Sequence, residues 1–278
     1  IEILIDGIFG THRILSFLGD LYAILIGSFE ILAFAVLISC LIFLIRRNIL
    51  KVKRLNQAEL NKWPKTDANL ILIVEILLMT AFLMMNAADY KLQQLGVAGY
   101  HTVGSFTISS HLFAMLPDNS SSLISIERFC WWFHIIGVLA FLNYLPFSKH
   151  LHIILAFPNT YFSKLEPKGK FENMPAVTAE VKSMLDPSIP PPIGEVSRFG
   201  VKDVQDLTWK NLLDAYTCTE CGRCTAACPA NITGKLLSPR KIMMDTRSRL
   251  DEVGKNIDAN KSFIDDSKTL LDTYITRE

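Results

Sequence analysis

Residues 217–230 read TCTECGRCTAACPA, which spaces Cys218, Cys221, Cys224 and Cys228 as C-x-x-C-x-x-C-x-x-x-C, with Pro229 closing the run. Thiolates three residues apart on a tight loop can cap three irons of one cubane. The small residues Gly222, Thr225, Ala226 and Ala227 let the backbone approach the sulfides. Where a chain has two such runs, the fourth cysteine ligates the other cluster. One run is present here, so either Cys228 completes a single four-cysteine site or it serves a second run beyond residue 278. Four thiolates also suit tetrahedral zinc, but zinc sites usually split their ligands into two distant pairs, and one compact run followed by Pro points to iron and sulfur. Cys40 and Cys130 stand inside apolar runs and read as packing residues.

His134 and His152 are eighteen residues apart. That is five whole helical turns, so both project from one face about 27 Å apart if the helix continues past Pro146. A histidine inside a span is costly and usually functional, and imidazole ligates haem iron buried between helices. The alternative is that His134 hydrogen-bonds a neighbouring helix, while His150 and His152 are interfacial residues beside Lys149. Both readings stay open, because a bis-histidine haem needs a second helix with matching histidines and no other span carries one. His12, His101 and His111 read as loop residues. Glu30 and Glu75 fall near mid-membrane, where an ionised carboxylate is costly, so each is protonated, paired across helices or part of a proton or quinone route.

The elements that position these residues divide the chain near residue 160. Of its 278 residues 50% are apolar and 20% charged, with 28 Lys+Arg against 27 Asp+Glu, which excludes a disordered chain and gives no sign of nucleic acid as a partner. Six cysteines are too few for a disulfide scaffold and fit a reducing compartment. Three apolar runs, about 21–45, 69–87 and 123–147, are long enough to cross a bilayer core as helices. Residues 1–9 read as the tail of a helix begun upstream, and the chain as a fragment cut at both ends. The loop between the first two runs carries Arg46, Arg47, Lys51, Lys53, Arg54, Lys62 and Lys65, whereas residues 89–122 have only Lys91. The positive-inside rule makes the first loop cytoplasmic, and the third span then delivers everything after Lys149 to the same side. Residues 103–116 are open to an amphipathic surface helix of weak periodicity.

Residues 161–200, with Pro190-Pro191-Pro192, have the composition of a linker with one short helix at 178–185. Asp206 is placed to cap a helix over 206–215 that leads into the cysteines, and Ser238-Pro239 starts another. The expected fold is mainly α: a transmembrane helical bundle (1–160), the linker, and a cytoplasmic α-helical ferredoxin-type iron–sulfur domain (201–278). No nucleophile constellation, phosphate-cradling Gly loop or metal-hydrolase helix is present, so nothing points to a hydrolase.

The run WWFHIIGVLAFLNYLPFSKHLHI resembles the last haem-binding helix of the nitrate reductase gamma subunit and of the membrane subunits of heterodisulfide-reductase-like enzymes. TCTECGRCTAACPANITGKLLSPRKIMMDTR resembles the first cluster motif of the two-cluster ferredoxin domain of heterodisulfide reductase and related iron–sulfur oxidoreductases. Together they cover about residues 125 to 250. The resemblance implies a multi-pass prokaryotic inner-membrane protein in which b-type haem exchanges electrons with a quinone and with cytoplasmic [4Fe-4S] clusters. His134 and His152 match the haem-ligand positions, and Cys218, Cys221, Cys224 and Cys228 match the cluster motif. The family's partner histidines, second cysteine run and catalytic domain have no counterpart in this sequence, so the partner implied is a soluble redox protein or catalytic subunit. Two rivals remain: a haem-free membrane-tethered ferredoxin module, and a structural zinc site in a membrane scaffold.

Overall fold

A computed structural model describes residues 2–104, 106–167, 169–170, 173–190 and 200–276. The chain is mainly α and divides into two compact units, Ile1–His150 and Leu151–Glu278. Among the described residues the only β feature is an isolated bridge between Leu271 and Ile275.

The first unit contains α1 (Glu2–Phe9), α2 (Asp20–Leu44), α3 (Trp63–Gln94), α4 (Ser109–Leu112) and α5 (Ser120–Tyr144). With their flanking turns, α2, α3 and α5 are long and apolar enough to cross a membrane. The helices overrun the expected spans at one or both ends because capping and propensity continue the winding past the apolar stretch. Pro64 sits in the first turn of α3, and the Asn119 side chain accepts the Ser121 N–H at 3.1 Å to start α5. On α2 the buried residues are Tyr22, Ile26, Gly27, Glu30, Ala33 and Cys40, one stripe at three- and four-residue spacing, while Phe29, Leu32, Phe43 and other large apolar side chains face outward. The outward face is thus apolar, as a bilayer-spanning helix requires, while the inward stripe carries the polar Glu30. The central helix is α3, packed against both α2 and α5.

The segment left open as a surface helix instead folds into the bundle; its Ser105 lies outside the described residues. Phe106 is buried against Tyr22 and Ile26, and Gly104, at φ +110°, sits where a Cβ would come within 2.5 Å of the Ala23 Cβ. The backbone N–H groups of Ile108 and Ser109 donate to Glu30 at 2.9 and 3.3 Å, so the segment supplies donors to a carboxylate far from water.

The helix carrying His134 stops at Tyr144. Two single 3₁₀ turns, Leu145–Phe147 and Lys149–Leu151, precede α6 (His152–Tyr161). Pro146 has no N–H to continue the helical ladder, while Asp67 accepts from Tyr144 Oη at 2.5 Å, Ser148 Oγ at 2.7 Å and the Lys149 N–H at 3.2 Å. The five-turn spacing that would align His134 with His152 therefore does not hold.

The second unit begins with α6, continues through α7 (Pro175–Leu185), α8 (Trp209–Tyr216), α9 (Arg223–Ala227) and α10 (Pro229–Ile232), and ends on α11 (Pro239–Asn260) with the returning segment 264–276. Pro191 and Pro192 lie outside the described residues. Asp206 does not cap α8: its carboxylate takes the N–H groups of Lys202 and Asp203, and Thr208 caps α8 with Asn211 in a reciprocal box. Ser238 caps α11 with Pro239 in the first turn, as its spacing implies. Val204, Val253 and Leu270 form the small core. Beside it the Arg249 side chain, fully buried, holds Asp203 and Asp266 in paired contacts of 2.6–3.1 Å. These bonds hold α11 to the turn at 203–206 and to the returning segment.

Candidate functional site

The cysteine run begins where α8 ends. Thr217 closes the helix by donating its hydroxyl to the Leu213 and Asp214 carbonyls, and Cys218 follows, half-buried. Glu220 is buried with φ +57°, its carboxylate paired with Arg247 of α11, whose guanidinium also reaches the Cys218 carbonyl at 3.5 Å. Burial pushes the Cys218 thiol up, opposed by a hydrogen bond from the Glu220 backbone and by Arg247. Gly222, at φ +75°, turns the chain into α9, which carries Cys224. Cys228, extended at ψ 120°, separates α9 from α10, and Pro229 opens α10. Thr225 is buried and ties the loop to α11 through Ser238 Oγ at 3.0 Å and the Arg240 N–H at 3.2 Å. The run is thus a pair of short turns clamped to α11 from both sides.

Cys218 and Cys228 are half-buried, and Cys221 and Cys224 are exposed. Among the described residues no three His, Cys, Asp or Glu side chains form a ready metal cage. The donor set fits an iron–sulfur cluster in number, type and spacing, and cages of this sort commonly close when the metal binds. Cys40 and Cys130 are buried in the first unit, the latter packed against Ala81 and Met85.

His134 is half-buried on α5. Its Nδ1–H donates to the Leu78 carbonyl of α3 at 3.1 Å, which leaves Nε2 as the nitrogen able to ligate. The ring borders a cavity of about 360 Å³ walled by apolar residues including Phe29, Leu32, Met79 and Phe82, with Glu2 at one side. In that setting His134 Nε2 is the atom that would hold a haem iron, were one bound. His152 belongs to α6 in the second unit, so the two histidines are not brought together within either unit. His150 packs on Phe141, and His101 and His111 are exposed.

His12 departs from the expected solvated loop residue. Its Nε2 lies 3.6 Å from Asp89, and burial lowers its pKa against the pull of that carboxylate. The neighbouring Arg13 is buried and pairs with Asp89, donating as well to Tyr22 Oη and Asn86 Oδ1 at 3.1 Å each. Asn86 in turn donates to Glu30 at 3.0 Å. Glu30 is therefore paired across helices, one of the three roles its position allowed, while Glu75 is half-buried. A second cavity, of about 250 Å³, lies against this network and is walled by His12, Arg13, Asp89, Glu127, Trp131 and Trp132 among others. Sequence reasoning missed Arg13, Asn86 and Asp89 as a group. The visible signal was polar residues persisting to the end of α3, after its apolar stretch.

Residues 210–267 match the family described as a 4Fe-4S dicluster domain, and that stretch contains all four cysteines of the run. Over 264 residues, 95% of this chain and 34% of the relative, the chain is 30% identical to the probable iron-sulfur-binding oxidoreductase FadF of Bacillus subtilis (strain 168). It is 28% identical over 256 residues, 88% of this chain and 32% of the relative, to the EtfAB:quinone oxidoreductase of Syntrophomonas wolfei subsp. wolfei. A stretch of 47 residues, 17% of this chain and 7% of the relative, is 46% identical to a probable membrane-anchored ferredoxin of Chromohalobacter salexigens. The chain spans about a third of the length of the first two relatives. No solved structure matches it. The chain is thus related to iron–sulfur oxidoreductases and carries an iron–sulfur cluster region beside three membrane-length helices.

Proposed function

We propose that the chain is the membrane-anchored electron-transfer part of an iron–sulfur oxidoreductase, working between a quinone in the bilayer and soluble redox partners. In this reading Cys218, Cys221, Cys224 and Cys228 ligate a [4Fe-4S] cluster and His134 and His152 ligate b-type haem. The observation that carries it is the clamped four-cysteine run in one chain with a membrane bundle. Bound cluster and haem supply one-electron transfer, which a quinol needs in order to give up its two electrons singly. The chain's own residues supply the rest. The thiolates hold the metal, and the Arg247–Glu220 pair and Thr225 fix the loop that presents them.

In the membrane unit the Leu78 carbonyl orients His134. The cavity beside His12 and Asp89 offers aromatic walls for a quinone ring and a half-buried imidazole, its pKa lowered by burial, to take a proton from a quinol hydroxyl. The basic loop between α2 and α3 supports a cytoplasmic cysteine domain in a prokaryotic inner membrane. The dicluster description of the matched family supports a second cluster. The printed name of the Syntrophomonas relative supports quinone as substrate.

A second reading, a haem-free tethered ferredoxin, is favoured by the break between His134 and His152 and by the name of the Chromohalobacter relative. The test is a reduced-minus-oxidised visible spectrum of the anaerobically purified membrane protein, followed by addition of a naphthoquinol. A haem band together with quinol-dependent bleaching of the iron–sulfur absorbance supports the first reading. Bleaching without a haem band selects the second. No bleaching by quinol, with dithionite still effective, rejects quinone as the electron source.

A further inference from the structure

The helix α6 has two unlike faces. Leu151, just before it, and Leu155 lie with Trp209, Leu212, Leu213 and Tyr216 around one apolar contact with α8. On the same side Asn159 donates to Thr217 Oγ1 at 2.8 Å and accepts from Lys210 Nζ at 2.6 Å. This face carries α8, the helix that runs directly into Cys218. The other face presents Ile153, Ile154, Phe157 and Tyr161, which are 48%, 51%, 79% and 81% exposed. At 100° per residue these four fall within an arc of about 100°. None of the ten residues of α6 is Asp, Glu, Lys or Arg.

We infer that this outer face of α6 lies on the lipid surface of the membrane that the chain spans, as an interfacial helix beneath the cysteine domain. Continuity argues for lipid as the occupant. The third apolar segment ends at Phe147 and α6 begins at His152, and the five residue steps between them reach no farther than about 18 Å even fully extended. The composition fits an interface rather than a protein partner's pocket: two aromatic rings at i and i+4, flanked by branched aliphatic residues, with no charge to set a register. Depth is argued independently by Pro158. It has no N–H to give to the Ile154 carbonyl, which therefore needs another donor, and water and headgroups supply one at the interface but not in the hydrocarbon core. Ten residues of helix, about 15 Å, are also too short to cross.

The consequence is a fixed standoff. A helix that carries α8 on one face and lipid on the other holds the start of the cysteine run close to the membrane surface.

The test uses the full chain in phospholipid nanodiscs, with the photoreactive residue p-benzoylphenylalanine replacing Phe157, Tyr161 or, as a water-facing control, Lys255 of α11. Each carrier is an exposed position, so folding is preserved, and iron content equal to the parent verifies this. Mass spectrometry after illumination should find phospholipid adducts at 157 and 161 and none at 255. Adducts to a second copy of the chain, adducts to a co-purifying protein, or no lipid adduct at either α6 position would overturn the inference. A second measurement needs no probe: Phe157→Ser with Tyr161→Ser should speed amide exchange in α6 in nanodiscs but leave α11 unchanged, and equal exchange in variant and parent would count against it.

Discussion

The two units bury different things. In residues 1–150 the groups removed from solvent include Arg13, Glu30, Asp67, Asn86, Asp89 and Glu127, while large apolar side chains such as Phe29, Leu32 and Trp132 point outward. Among the described residues of 151–278 the buried apolar cluster is the small one of Val204, Val253 and Leu270 with their half-buried neighbours, and the largest fully buried side chains are Arg240 and Arg249. A membrane bundle does not need its interior to hide oil, because lipid already solvates the outer faces, so the interior is free to hold a polar network. The second unit has little apolar area with which to close on itself and leans on buried ion pairs such as those of Arg249. The comparison teaches that charge in the first unit is available for function, whereas in the second it serves mainly as scaffold.

The largest expected effect tests the metal's structural share. Cys221→Ser with Cys224→Ser should abolish iron binding and expose residues 201–276 to limited proteolysis, with the three spans still protected in the bilayer. Equal protease resistance in variant and parent would show that the cysteine unit needs no metal to fold.

Next comes the clamp. Arg249→Ala leaves Asp203 and Asp266 without their partner, and because both carboxylates keep some contact with water, the cost should sit near the lower end for a broken buried pair, about 3 kcal/mol. Denaturant titration followed by Trp209 emission reads it. A loss within about 0.5 kcal/mol, the range of an ordinary surface change, would demote the clamp.

In the membrane unit, Gly104→Ala brings a Cβ against Ala23 at a backbone angle that side chains rarely adopt, with an expected cost of about 1–3 kcal/mol and loosening of the segment that donates to Glu30. Amide exchange at residues 106–109 reports it, and unchanged exchange there would mean that the re-entrant segment is not held as described.

The smallest effect is acid dependence. Arg249 holds the Asp266 carboxyl down to about 2, below the usual carboxylate range. A depressed folded-state pKa stabilises the unit fully above the unfolded value near 4 and loses that stabilisation as pH falls towards 2. Stability of the Arg249→Ala variant should therefore vary less than the parent's between about pH 4 and pH 2. An equal slope would separate Asp266 from the clamp.

Much of the local structure was legible in the sequence. The cysteine spacing, the Ser238-Pro239 helix start and the three long apolar runs are all patterns within one stretch of chain, and the last two appear as helices where the sequence puts them. What stayed hidden depends on pairing across distance. Arg13 meets Asp89 across 76 residues, and Glu30 meets Ile108 across 78, and no periodicity marks either. The break at residues 145–151 was half legible: Pro146 marked it, but the Asp67 contacts that hold the bend come from another helix. Asp206 and Thr208 are both good caps two residues apart, and only the folded turn decides which one serves α8.

The central claim is that one chain combines a membrane bundle with an iron–sulfur cluster on Cys218, Cys221, Cys224 and Cys228. Its most direct test is metal and acid-labile sulfide analysis of the chain purified anaerobically in lipid, together with electron paramagnetic resonance after reduction. The account predicts about four iron and four sulfide per chain and a signal of a reduced [4Fe-4S] cluster, lost when any one of the four cysteines becomes Ser. Zinc at one per chain without sulfide, or iron unaffected by those substitutions, would contradict it.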